Sequence, residues 1–181
     1  LSMDKDDIVR ENVAENPKTG SLTLEEMAEH DPVIDVKLAA LGNPNIPTRV
    51  IHRMAAGTGK RVRETIAGNI STPKTILMKS ARDRDTNVAY NVACNPNVPR
   101  EALTILAERR NMGILVAVVR NKNTPEEALA KLARNNNRNL RLLIAEHENT
   151  SRETLEFLLL KAVKEADQKL AETVRLALAK Q

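Results

Sequence analysis

Asn43, Asn69, Asn95 and Asn121 stand 26 residues apart, and His147 takes the next place in the series. A side-chain amide both donates and accepts hydrogen bonds. A ladder of such groups is one way a modular reader addresses one partner group per repeat. Each of these residues opens a recurring phrase: "NPNIPTRVI" at 43–51, "NISTPKTIL" at 69–77, "NPNVPREAL" at 95–103, "NKNTPEEAL" at 121–129 and "HENTSRETL" at 147–155. Pro47, Pro73, Pro99 and Pro125 keep the same step, with Ser151 in the fifth slot. In such a phrase Asn can close a helix through a left-handed cap, and proline cannot continue it. The same Asn therefore falls where the backbone needs a turn, which favours a turn-forming role over the reading ladder.

The second constellation is basic. The net charge of +4 conceals an asymmetry. Residues 1–35 carry three Lys/Arg against ten Asp/Glu, residues 36–141 carry nineteen against seven, and residues 142–181 six against seven. Slots ten and thirteen after the anchor hold Arg53, Lys79 with Arg82, and Lys131 with Arg134; six residues before it come Lys37, Arg63 and Arg141. Equivalent slots of stacked repeats fall in rows, so these residues are expected to form a positive ridge for a polyanionic partner. The turns add Lys60, Arg61, Arg84, Arg109, Arg110 and Arg138, whereas Ala89, Ile105, Glu108 and Leu115 interrupt the rows. The competing reading is a set of solvated helix faces.

Other chemistry finds little support. "AAGTGKR" at 55–61 touches the pattern of a phosphate-binding loop, but Met54 and Arg61 stand where that loop needs Gly and Ser/Thr. His30, His52 and His147 lie in different repeats and form no metal-ligand spacing. Cys94 is the one cysteine, which excludes an internal disulfide; it reads as a small packed side chain, since no base is placed to activate it. "RDRD" at 82–85 reads as a turn and not as a catalytic carboxylate pair. No enzymatic activity, metal or cofactor is expected.

The elements that position these residues are helices. Seven and three residues before each anchor stand Val36 and Ala40, Val62 and Ile66, Val88 and Val92, Ile114 and Val118, Leu140 and Ile144. That i, i+4 spacing marks one helix face. After the turn, Thr before Pro reads as an N-cap, with Thr124 to Glu127 as a capping box. A second helix of about ten residues then carries an i, i+1, i+4, i+5 stripe such as Ala128, Leu129, Leu132 and Ala133. A copy beginning at Asn16 precedes the regular ones. Trp is absent, and Tyr90 and Phe157 are the only aromatics, so small aliphatic side chains must fill the core. A unit of this kind buries its apolar face only by stacking on its neighbours.

"NPNVPREALTILAER" and "NKNTPEEALAKLARN", preceded by "VAYNVAC" and "LVAVVR", resemble the leucine-rich repeat variant family. The resemblance covers roughly residues 9–160. It implies an all-α chain: a right-handed α-solenoid of six or so repeats, similar in principle to HEAT and armadillo superhelices. A described family member carries an iron–sulfur cluster on cysteines ahead of its repeats; no cysteine stands there in this chain, so that cofactor is not carried over.

The expected organisation is an acidic N-terminal segment with an irregular first repeat (1–35), a repeat array (36–164) and a C-terminal capping helix (165–181). The expected function is a non-enzymatic scaffold that binds an acidic segment of a protein partner along the basic middle repeats. The alternative is nucleic-acid binding through phosphates, with little base specificity. A fold-back of the acidic segment onto the ridge is a further reading. In the C-terminal stretch beginning at Glu153, Leu155, Leu158, Leu159 and Val163 are expected to pack inward, or its "FLLL" serves self-association. No run is apolar enough to span a membrane, there is no signal-peptide core, and a cytoplasmic location is expected.

Overall fold

An Asp or Asn ten residues ahead of the anchor starts most of the first helices. Asp6, Asp85, Asn111 and Asn137 each accept a backbone N–H of the following turn. Those amides have no partner inside the helix, so the cap fixes where it begins. Val33 and Gly59 take this slot in the second and third repeats and supply no such bond. A computed structural model of the chain describes residues 1–57 and 59–181; Thr58, within the "AAGTGKR" stretch, lies outside the described residues.

Among the described residues there are thirteen α-helices and no strand. The repeats pair α1 (Asp7–Glu15) with α2 (Ser21–His30), α3 (Ile34–Gly42) with α4 (Thr48–Ala55), and α5 (Lys60–Gly68) with α6 (Lys74–Ser80). They continue as α7 (Thr86–Cys94) with α8 (Arg100–Leu106), α9 (Met112–Arg120) with α10 (Glu126–Leu132), and α11 (Arg138–Glu146) with α12 (Arg152–Lys164). A last helix, α13 (Gln168–Leu178), follows. The helices form two compact units, residues 1–97 and residues 98–181.

In the first unit α1, α3, α5 and α7 pack in sequence against one another, and α2 packs on α3. The acidic first repeat is thus part of the stack. Val36, Ala40, Leu41, Ile51, Ile66 and Leu77 form its core. In the second unit α9, α11 and α13 pack in series, α12 lies against α13, and Leu103, Leu106, Ile114, Leu129, Leu140, Ile144 and Leu155 fill the core. The alanines Ala40, Ala67, Ala93 and Ala145, all close to the anchor, are buried. Having no side chain beyond Cβ, they let successive backbones approach closely.

The second helices of the four middle repeats are seven or eight residues long, shorter than the ten expected. At α6 the reason is visible: after Ala81 donates to Leu77, Arg82 donates to Lys79 and Asp83 to Ser80. The last turn tightens into i→i+3 bonds and feeds directly into the next repeat. Leu155 and Leu158 are buried as expected, but Val163 is 60% exposed; Ala162 takes the inward position beside it. Phe157, Leu160 and Leu176 are also exposed.

Candidate partner-binding surface

The repeated Asn proves to be internal joinery. Asn43, Asn69, Asn95 and Asn121 are all buried, between 1% and 9% exposed. Asn69 Nδ2 donates to Leu41 O at 2.6 Å and Asn43 O at 3.0 Å, both in the preceding repeat. Its Oδ1 accepts the Ser71 N–H at 2.7 Å. Asn43 does the same to Ala14 and Asn16, and Asn95 to Ala67 and Asn69. His147 reproduces the pattern with a ring: Nδ1 accepts from Asn149 N–H at 3.0 Å, which leaves Nε2 to donate to Asn121 O at 3.1 Å.

These residues are turn formers, but not by a left-handed cap. Their φ values lie between −68° and −80°, with ψ extended. The side chain, not an unusual backbone, closes the turn. It supplies acceptor and donor at once to groups that the helix end leaves open. A parallel ladder runs two residues later. Asn45 donates to Pro17 O, Ser71 Oγ to Pro44 O, Asn97 to Ile70 O and Asn149 to Lys122 O.

Thr before Pro also differs from expectation. Thr72, Thr124 and Thr150 donate their hydroxyls backward at 2.5 Å, to Ile66 O, Val118 O and Ile144 O at the end of the first helix. The N-cap of the second helix is Pro47, Pro73, Pro99 or Pro125 itself, with ψ from 136° to 154° and no side-chain bond. Its carbonyl takes the first helical amides, as Pro73 O does from Ile76 and Leu77. Thr124 therefore forms no capping box, whereas Ser151 does accept the Thr154 N–H.

The cations divide into two groups. The row six residues before the anchor is structural. Arg141 is 3% exposed; its guanidinium bonds Asn135 O and Asn136 O at 3.2 Å and pairs with Glu165. It cannot contribute to an exposed ridge. Arg63 lies half-buried against Asp83 at 2.7 Å, and Lys37 Nζ donates to Glu29 O at 2.8 Å. Arg10 occupies the same slot in the first copy, buried against Asp31 at 2.7 Å. The Arg10 guanidinium holds the Asp31 carboxyl below its ordinary range, and Arg63 does the same to Asp83.

Arg53 is exposed but engaged with Glu25 and Glu29 of the preceding second helix, and Arg49 also pairs with Glu25. Arg49 first, and then Arg53, brings the Glu25 carboxyl from 4.5 down to about 2. Arg61 pairs with Asp35, and Lys60 with Asp85 and Glu64. The acidic N-terminal residues thus serve the neighbouring repeats as ion-pair partners.

Lys79, Arg82 and Arg84 are different. All three are exposed, and no carboxylate stands within ion-pair distance of them among the described residues. They border a pocket of about 380 Å³ whose lining also includes Ala55, Ile66 and Ile76. In the second unit Lys131 pairs with Glu108 at 2.9 Å, and Arg134 is exposed without a carboxylate partner. Both line a pocket of about 500 Å³ that also holds Phe157, Glu126, Glu127 and Glu153.

Other residues singled out in the sequence find ordinary places. Asp83 and Asp85 of "RDRD" serve Arg63 and Lys60, and Asp85 caps α7. Cys94 is exposed, not packed, at the last position of α7. No group of three or more His, Cys, Asp or Glu side chains converges on a metal-sized space among the described residues. No helix among them is long and apolar enough to cross a membrane.

The fold and its ladders define an all-α helical-repeat scaffold. No family model matches the chain, and no curated protein does. A solved structure described as a leucine-rich repeat variant with a novel repetitive protein structural motif is similar over 99% of this chain and 67% of its own. It has a TM-score of 0.65 and 26% identity. The chain resembles the leucine-rich repeat variant in three dimensions as it does in the phrases around Asn95 and Asn121. A computationally designed armadillo repeat protein for modular peptide recognition is more distant, at a TM-score of 0.40 and 15% identity over 98% of this chain and 94% of its own.

Proposed function

We propose that this repeat scaffold binds an acidic segment of another protein, and that Lys79, Arg82 and Arg84 are the principal contacts. The observation that carries the reading is their exposure around one pocket without a carboxylate partner, in a unit whose other cations are largely engaged internally. A cation already satisfied by its own chain gains little from a second anion. An unpaired cluster at the end of α6 and in the turn that follows it gains more, and it raises both association rate and selectivity. The reading is non-catalytic.

The test is fluorescence anisotropy with a labelled glutamate-rich peptide and, in parallel, labelled duplex and single-stranded DNA and RNA. The peptide is expected to bind at low salt and to weaken as salt rises. K79A/R82A/R84A should reduce its affinity by about tenfold, as three exposed charge contacts imply. Binding of nucleic acid in preference to the peptide, or peptide affinity unchanged in the triple variant, would overturn the reading.

A further inference from the structure

Resting on that reading, we infer that the pocket beside α6 selects an acidic segment carrying one aliphatic side chain, which enters between the cations and seats on the apolar floor. The geometry is specific to this place. Ala55 at the end of α4 and Ile76 of α6 are partly exposed and supply carbon surface to one concavity, with the buried Ile66 of α5 also in its lining. Lys79, Arg82 and Arg84 stand at its rim. On the wall, Arg63 is already neutralised by Asp83 at 2.7 Å, so the positive field comes from the rim and not from the depth.

A purely anionic ligand matches the rim but gains nothing from the floor. Its carboxylates would have to lose water to reach carbon atoms, which is unfavourable. An aliphatic side chain gains by leaving water there, and flanking carboxylates remain at the solvated rim beside the cations. The volume of about 380 Å³ exceeds what one side chain needs, and falls in the lower part of the usual range for ligand pockets. A nucleic acid fits less well. Single strands are commonly held by stacking on aromatic side chains, and neither Tyr90 nor Phe157 lines this pocket.

The experiment uses the full chain and two peptides of identical acidic composition, one with a central Leu and one with Ser in its place. The Leu peptide is expected to bind about tenfold more tightly, the scale of burying one such side chain. Ser80 also lines the pocket. Ser80→Trp should fill the space and remove the preference for Leu while leaving salt-dependent binding of the Ser peptide intact. K79A/R82A/R84A should weaken both peptides. Equal affinity for the two peptides in the wild-type chain would overturn the aliphatic seat and leave the acidic-partner reading standing. Failure of both peptides to bind, or tighter binding of single-stranded nucleic acid than of both, would overturn the two together.

Discussion

Asn69 illustrates how much one side chain contributes when it is buried between repeats. It closes its own turn through Ser71 N–H and reaches two carbonyls of the preceding repeat. Truncation takes this partner from Leu41 O and the Ser71 N–H, while Asn43 O keeps the Ile46 N–H, in a site that is 4% exposed for the native side chain. Asn69→Ala is expected to cost about 3 kcal/mol, since each buried unsatisfied group costs roughly 1–3 kcal/mol and some are rescued by water. Asn69→Asp should cost more at neutral pH, because it turns a carboxylate toward two carbonyl oxygens. His147→Asn, which restores the side chain of the other repeats, should change stability by less than about 1 kcal/mol. Urea unfolding followed by circular dichroism measures all three. A ladder that addressed a ligand would show the opposite pattern, with stability nearly unchanged in Asn69→Ala.

At the scale of the element, ion pairs join one second helix to the next. Glu25 on α2 meets Arg49 and Arg53 on α4, and its pKa of about 2 in the folded chain lies below the ordinary 4.5. The stabilisation this gives is complete above about 4.5 and is lost as pH falls toward about 2. Melting temperature should therefore decline across that window, and Glu25→Gln should make the decline shallower. An unchanged slope in Glu25→Gln would show that the pair contributes nothing. The sequence reveals the 26-residue period, the two helices of each repeat and the structural nature of the Asn, because periodicity and turn residues are local signals. It conceals where side chains reach across repeats. Thr72 could cap forward or bond backward, and only the packed turn decides. Arg141 and Lys79 look alike as residue types; one is buried because Glu165 and the carbonyls of 135 and 136 converge on it. The ladder through Asn45, Ser71, Asn97 and Asn149 escapes the sequence reading, although a polar residue two positions after each of these anchors marks it. The pocket was not, since Ala55, Ile66, Ile76 and Lys79 come from three helices and no motif links them.

For the whole molecule, charge is arranged more selectively than a net +4 conveys. Carboxylates such as Glu25, Asp35, Asp83 and Asp167 are engaged by arginines of their own chain. In residues 1–97 Lys79, Arg82 and Arg84 stand together around one pocket without a carboxylate partner among the described residues, and in residues 98–181 Arg134 also lacks one. A stack of short repeats supplies exposed turns on which such clusters can be set without disturbing the core, because each repeat is held by its neighbours. The most direct test is an amide-resolved NMR titration of the full chain with the Leu-bearing acidic peptide. The account predicts saturable shifts concentrated on residues 76–84 and on Ala55 and Ile66. Shifts centred on the Asn ladder or on α1, α3 and α5, with residues 76–84 unmoved, would contradict it.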